Sequence, residues 1–341
     1  MRELPLVGEI PDSSRARVAP AEKPILLVVS DTEEEFDWSK PHDRASTGVT
    51  AMPHITRAQE VFDAYGIKPC YVIDWPVVDQ EMGHTALRAI HADGRCEIGA
   101  HLHPWVSPPH DEEVCRRHSF PGNLPRALEA RKIELLRDRI EEVFGDRPTT
   151  YKAGRYGVGP HTATTLEQLG FDVDLSVEPD FDYSHEQGPD FRGYPYGPYW
   201  FGRQRRMLCV PATSALAGFV GPLRDPAYRL ANWGPFRKLR APGILSRLGV
   251  ADRLHLSNEG FSVADNVKLT RWLYARGERV FAYSFHSPSV VPGHTPYVRN
   301  EAELSAFLDG FRQYFDFFFQ QLGGVTMTPR ELFQHLAKGQ A

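Results

Sequence analysis

The chain has 341 residues, 41% hydrophobic and 24% charged, with a formal net charge of −5. That length and balance suit a globular protein with a large core in one or two domains, and the charge gives no nucleic-acid signal. No run reaches the ~18 apolar residues of a membrane span, the opening stretch lacks an apolar leader core, and the four cysteines (Cys70, Cys96, Cys115, Cys209) form no CxxC motif, so a cytoplasmic protein with reduced thiols is expected.

Residues 1–23, rich in Pro, Ser and charge, read as a tail, partly disordered or packed on the folded unit. Ile25 to Val29 is a continuous apolar run, the signature of a central strand in a parallel sheet. Ile55, Ala58, Val61, Phe62 and Tyr65 then fall at helical spacing, with Gly66 as the C-cap. Strand "IKPCYVID", helix "TALRAIHADG" and strand "CEIGAH" come next, then a charged helix over about 125–144, strand "PTTYKAG", helix "TATTLEQLG" and strand "FDVDLSV". A stretch dense in Gly, Pro and Tyr, about 180–260, interrupts the rhythm and reads as a functional insertion. Helix "VKLTRWLYARG", strand "ERVFAYSFH", the long helix "ELSAFLDGFRQYFDFFFQQLGG", strand "VTMT" and helix "PRELFQHLAKG" complete the chain. This alternation predicts a parallel α/β unit over residues 24–338, as a barrel or an open sheet.

Polar residues cluster just after predicted strands, on what would be the functional face of a parallel barrel. Asp31, Glu33, Glu34, Glu35 and Asp37 are five carboxylates within seven positions. On an extended chain Asp31, Glu33 and Glu35 point to one side and Glu34 to the other, and such a cluster calls for a cation or for protonation. The bland reading is a solvated acidic loop. In "EIGAHLHPW", His101 and His103 place two imidazoles on one side of a strand end, suited with a carboxylate to Zn²⁺, Fe²⁺, Co²⁺ or Ni²⁺. Lys152 and Arg155 come after the fourth strand, and His286 in "SFHSPS" ends a late one, as a general acid–base group or a hydrogen-bonded strand end.

These motifs, in this order, resemble the polysaccharide deacetylases with a NodB-type domain, carbohydrate esterase family 4, nearest the branch called WalW-like. The resemblance covers roughly residues 24–338. It implies a distorted (β/α) barrel of seven or eight strands that hydrolyses the N-acetyl group of an amino sugar. By motif, Asp31 matches the catalytic base and Glu33, or alternatively Glu34, the metal-binding acid. His101 and His103 match a ligand pair that the family usually spaces four residues apart. Lys152 stands where the family has Arg; it or Arg155 would orient Asp31. Asp174 and Ser176 match the fourth motif, and His286 the catalytic acid. The implied cofactor is a divalent metal, Zn²⁺ first, with Co, Ni, Fe or Mn as alternatives. Trp105, Tyr156, Tyr199, Trp200 and His294 are candidate sugar contacts, with Tyr194 and Tyr196 in the insertion as companions. The implied partner is a small or lipid-linked N-acetyl amino sugar, with no nucleic acid. Two other readings stand beside this one: hydrolysis of another amide or cyclic ureide without a metal, and a non-catalytic sugar-binding or assembly protein on the same scaffold. A glycosidase ranks lower, since it leaves the histidines without a role.

Overall fold

The computed structural model describes residues 4–217 and 252–339. Residues 218–251 of the expected insertion lie outside the described residues. Eleven strands are seen among the described residues: β1 (Ile25–Thr32), β2 (Cys70–Ile73), β3 (Glu97–Leu102), β4 (Thr150–Ala153), β5 (Val173–Asp174), β6 (Tyr199–Phe201), β7 (Met207–Cys209), β8 (Ser214–Ala217), β9 (Asp252–His255), β10 (Val280–His286) and β11 (Val325–Thr326). The helices are α1 (Thr56–Ala64), α2 (Trp75–Asp79), α3 (Glu81–Ala92), α4 (Arg126–Phe144), α5 (Thr162–Leu169), α6 (Val263–Tyr274), α7 (Glu301–Asp316) and α8 (Pro329–Lys338).

The main sheet runs β10-β1-β2-β3-β4-β5-β7-β6, with β11 pairing the start of β1. All of its ladders are parallel except β6–β7. The sheet is a curled, mostly parallel half-barrel, in line with the α/β fold class read from the sequence. The antiparallel pair β8–β9 spans the open side. Single backbone bonds carry the ring there, from Ser284 N–H to Leu256 O and from Ala212 N–H to Val177 O.

Side chains alternate across each strand, and this parity decides which residues reach the interior. Leu26 and Val28 face the large cluster formed with the surrounding helices, together with Tyr71, Tyr151, Phe281, Tyr283 and Phe285. Ile25, Leu27 and Val29 face a second, inner cluster with Val72, Val280 and Trp200, plugged by Leu332 and Leu336 of α8. That plug fills the end where the strands start. The inner parity continues upward to Asp31 on β1, His101 on β3, Lys152 on β4 and His286 on β10, so four polar side chains crown an apolar floor.

The elements match the sequence reading closely, with three differences. The helix α2 was not expected; Asp74 caps it, its carboxylate accepting from the Val77 N–H at 3.0 Å. The long C-terminal helix passes into a π-helical turn over Phe317–Gln321. Within the expected insertion, two antiparallel strand pairs form, β6 with β7 and β8 with β9. Residues 4–23 lie along β6, with Leu4 bridged to Gly202 and Arg15 to Tyr199.

Candidate active site

A cavity of about 910 Å³ opens at the strand C-termini and is lined by Asp31, Glu33, His101, His103, Lys152, Arg155 and His286, among others. Seven of the residues singled out in sequence for catalysis or metal binding therefore converge.

His101 lies on β3, and its Nδ1 is 3.0 Å from the carbonyl oxygen of Lys152 on the neighbouring strand. A carbonyl only accepts, so Nδ1 carries the hydrogen and Nε2 keeps its lone pair. That Nε2 is 3.6 Å from Glu33 Oε2. His103 sits just beyond the strand. Its Nδ1 is 2.7 Å from Glu34 Oε2, and its Nε2 is 3.4 Å from Glu33 Oε2. The Nε2 atoms of both histidines thus meet one carboxylate, despite the short His-x-His spacing. Gly154 makes room for them: a Cβ there would lie 2.5 Å from His103 Cδ2.

This group fits a divalent cation. Glu33 is 3% exposed, and its Oε1 has no hydrogen-bond partner, an expensive arrangement for a polar atom unless something else is to occupy it. Tetrahedral zinc with bonds of about 2.0–2.1 Å holds its ligand atoms roughly 3.3 Å apart, close to the separations found. Burial is the main influence on all three residues. It pushes Glu33 up to about 7, against the opposing pull of His286 and His101, and it lowers His101 and takes His103 down to about 4, favouring the neutral imidazoles that bind metals.

Between the two acids that the sequence left open, the geometry separates roles. Glu34 turns away from the cavity: its Oε1 accepts from Trp105 Nε1 at 2.7 Å and its Oε2 faces His103. Asp74 stands behind, accepting from the backbone N–H groups of Glu34 (2.8 Å) and Val77. Glu34, Asp74 and His103 also come close enough together to suggest a cation. Each carboxylate oxygen there is already taken by a protein donor, which makes these residues a support for His103. Burial raises both acids, and their mutual contact raises Asp74 further, as for two carboxyls sharing a proton.

Beside the metal group, both oxygens of Asp31 lie 2.6 Å from Lys152 Nζ. Burial alone would raise Asp31, but Lys152, with His101 and His286, holds it well below the usual carboxylate range. Of the two cations expected near Asp31, Lys152 is the one in contact with it. Arg155 does not share that contact: its guanidinium bonds Ser119 Oγ and Glu186 and lies over the Phe120 ring at 4.1 Å. Arg155 and Tyr156 both adopt positive φ, 56° and 55°, a costly pair for non-glycine residues.

His286 Nε2 is 3.8 Å from Asp31 Oδ2, and its Nδ1 is 2.6 Å from Glu259 Oε2. Glu259 is fixed in turn by the His286 N–H and by Ser289 Oγ. Burial opposes the charged ring, but Glu259, Glu33 and Asp31 outweigh it and raise His286 to about 10, so it stands as an imidazolium with Nε2–H toward the cavity.

Asp174 and Ser176 lie beneath the site. Ser176 Oγ donates to Asp174 at 2.8 Å and accepts from the Ala153 N–H at 2.7 Å, tying β5 to the residue after Lys152.

Among the expected sugar contacts, Trp105 and Tyr156 line the cavity, although Trp105 is 2% exposed and stacks on His103 with ring centroids 4.3 Å apart. Tyr199 and Trp200 do not reach it. Both are buried on β6, with the Tyr199 hydroxyl bonded to Leu6 O and Trp200 edge-on to Phe333, because their strand closes the plugged end. His294 is also outside the lining, 3.5 Å from Glu35. Tyr194 and Tyr196 likewise pack, bonded to the Gly8 N–H and to Asp180. The exposed aromatics at the mouth are Trp38 and Tyr297, 38% and 37% exposed, with ring centroids 5.8 Å apart; Trp38 also sits edge-on to His286 at 4.9 Å.

The sequence reading missed Asp74, Glu259 and Trp38. Asp74 comes after β2 as Asp31 ends the run of β1, and that signal was available. Glu259 lies beyond an irregular segment and carried none.

No protein-family model matches the chain, and no curated protein matches it. The fold is similar to solved structures. One, from Parabacteroides distasonis, is named as a glycoside hydrolase/deacetylase, with TM-score 0.58, 10% identity, and 94% of this chain and 72% of that one covered. Another, from Mycobacterium smegmatis, is named as a polysaccharide deacetylase, with TM-score 0.54, 12% identity and coverage of 96% and 95%. PuuE allantoinase gives TM-score 0.52, 15% identity and coverage of 92% and 90%. At such identities the likeness is one of fold.

Proposed function

We propose that the protein is a metal-dependent hydrolase that removes an N-acetyl group from an amino sugar, standing nearest the WalW-like branch of the deacetylases. One observation carries the reading: a buried carboxylate with an unpartnered oxygen and the Nε2 atoms of two histidines converge beside a Lys-paired Asp and a carboxylate-held His. Glu33, His101 and His103 would hold the cation. When bound there, a divalent cation supplies Lewis acidity, acidifying water and polarising an amide carbonyl.

The remaining chemistry belongs to the side chains. Asp31, kept ionised by Lys152, accepts the proton of the attacking water. His286 presents Nε2–H to the departing nitrogen, which leaves as an amine only when protonated. Glu259 holds the ring and stabilises its charge. Trp38 and Tyr297 offer faces and edges for the C–H surface of a sugar ring. The substrate class is a small or lipid-linked N-acetyl amino sugar. Against a non-catalytic scaffold stands the completeness of the set: base, acid and three ligands are all present with their supporting hydrogen bonds.

The test is acetate release from N-acetylglucosamine oligomers and related N-acetyl amino sugars. Wild-type protein is expected to release acetate and Asp31→Asn to lose at least about 100-fold in kcat. Equal turnover by both proteins would sink the assignment.

A further inference from the structure

Ser284, His255 and Glu178 line the same cavity and have no part in the chemistry above. Ser284 is on the inward parity of β10, opposite Val29 of β1 and two residues before His286. Its Oγ is 2.6 Å from His255 Nε2, and His255 Nδ1 is 2.7 Å from Glu178 Oε1. Glu178 is 3% exposed, and its second oxygen accepts from the Tyr183 hydroxyl. A carboxylate so held fixes the ring with its hydrogen on Nδ1, leaving the Nε2 lone pair to accept from the serine hydroxyl. A histidine that served only to tie β9 to β10 would need neither a buried carboxylate behind it nor an opening in front. Here the three groups come from separate segments, stand in the order nucleophile, base, orienting carboxylate, and border the cavity.

We propose that Ser284, His255 and Glu178 form a second hydrolytic centre, a serine nucleophile for O-acyl esters. In the first step Ser284 Oγ bonds to the ester carbonyl carbon while its proton passes to His255 Nε2. The C–O bond to the alcohol then breaks, and His255 returns the proton to the departing oxygen, giving an acyl-serine and a free alcohol. In the second step His255 takes a proton from water, the water oxygen attacks the acyl carbon, and the carboxylic acid leaves as the proton returns to Ser284. The centre goes beyond the metal-assisted reading and does not depend on it.

The protein, as purified and again after dialysis against a chelator, is incubated with phenylmethylsulfonyl fluoride, and the adduct is located by peptide mass spectrometry. One adduct is expected, on Ser284, formed at the same rate in both preparations. In Glu178→Gln it is expected to form at least about tenfold more slowly, since the ring loses its charged partner. The wild-type map needs no variant, so a poorly folding substitution does not block the test. No adduct, an adduct elsewhere, loss of labelling with the metal, or an undiminished rate in Glu178→Gln overturns the proposal. Because labelling is read without metal and without an amide substrate, its failure is distinct from failure of the deacetylase reading.

Discussion

The Nδ1–H of His101 donates to the carbonyl oxygen of Lys152 across the β3–β4 ladder at 3.0 Å. The residue whose ammonium holds the proposed base thereby also fixes, through its backbone, the tautomer of a proposed metal ligand. His103 is held by a different device, the carboxylate of Glu34 at 2.7 Å. A backbone carbonyl survives side-chain substitution and a carboxylate does not, so the two ligands should respond differently to mutation of their supports.

Metal affinity tests this contrast. Glu34→Gln is expected to weaken binding by about 10- to 100-fold, as loss of an orienting partner does, whereas Lys152→Met leaves the His101 support in place. Competition against a chromogenic chelator reads both. Undiminished affinity in Glu34→Gln would assign Glu34 no role in orienting His103.

Glu33 gives a pH dependence with a definite sign. Burial raises it from 4.5 to about 7, so between these values the metal-free folded state holds a proton that the unfolded chain releases. Stability then falls as pH rises through this window, by roughly 3 kcal/mol at most. The difference in unfolding free energy between wild type and Glu33→Gln isolates this contribution from that of other buried acids. It should favour wild type least above pH ~7. Metal competes with the same proton, so affinity should climb toward pH 7. A pH-independent difference would place Glu33 in an ordinary solvated state.

The pair Asp31–Lys152 is buried, with side chains 9% and 3% exposed. Lys152→Met should cost about 3–5 kcal/mol by leaving Asp31 charged and unpaired. The double variant Asp31→Asn/Lys152→Met should recover much of that loss, since no bare charge remains. Chemical denaturation of wild type, Lys152→Met, Asp31→Asn and the double variant checks it; additive losses would show that the pair is not coupled.

Much of this site was legible because strand parity is a strict rule. With Ile25–Val29 read as a strand, parity puts Asp31 on the inner side; Glu33 follows it into the cavity beyond the strand end while Glu34 turns away, but Glu35, expected on the same side, instead bonds Thr50 and the Ala51 N–H. His101, Lys152 and His286 obey the same rule on their own strands. Arg155 reaches the cavity as expected but bonds Ser119 and Glu186 rather than Asp31, and the two consecutive left-handed residues there are announced by no residue type. Tyr199 and Trp200 were misplaced because Gly- and Pro-rich flanks disguised a regular strand pair that packs on α8. Glu259 and His255 depend on a non-local path, through the segment that closes the open side, which periodicity does not encode.

The aromatic correction has its own test. Trp38→Ala and Tyr297→Ala should raise KM for an amino-sugar substrate by roughly threefold to tenfold, matching about 0.5–1.5 kcal/mol of stacking, with little change in stability. Tyr199→Ala and Trp200→Ala should instead lose about 3–5 kcal/mol of stability as core truncations, with KM unaltered in the folded fraction. The reverse pattern would restore β6 to the substrate path.

In the proposed mechanism the catalytic centre is built around a cation held by Glu33, His101 and His103. Acetate release by the same protein sample, measured as purified, after complete chelation and after titration with Zn²⁺, tests it most directly. Release is expected to stop on chelation and to return with one equivalent of metal per chain in wild type, while His101→Ala stays inactive throughout. Release that continues unchanged in metal-free protein would contradict the claim.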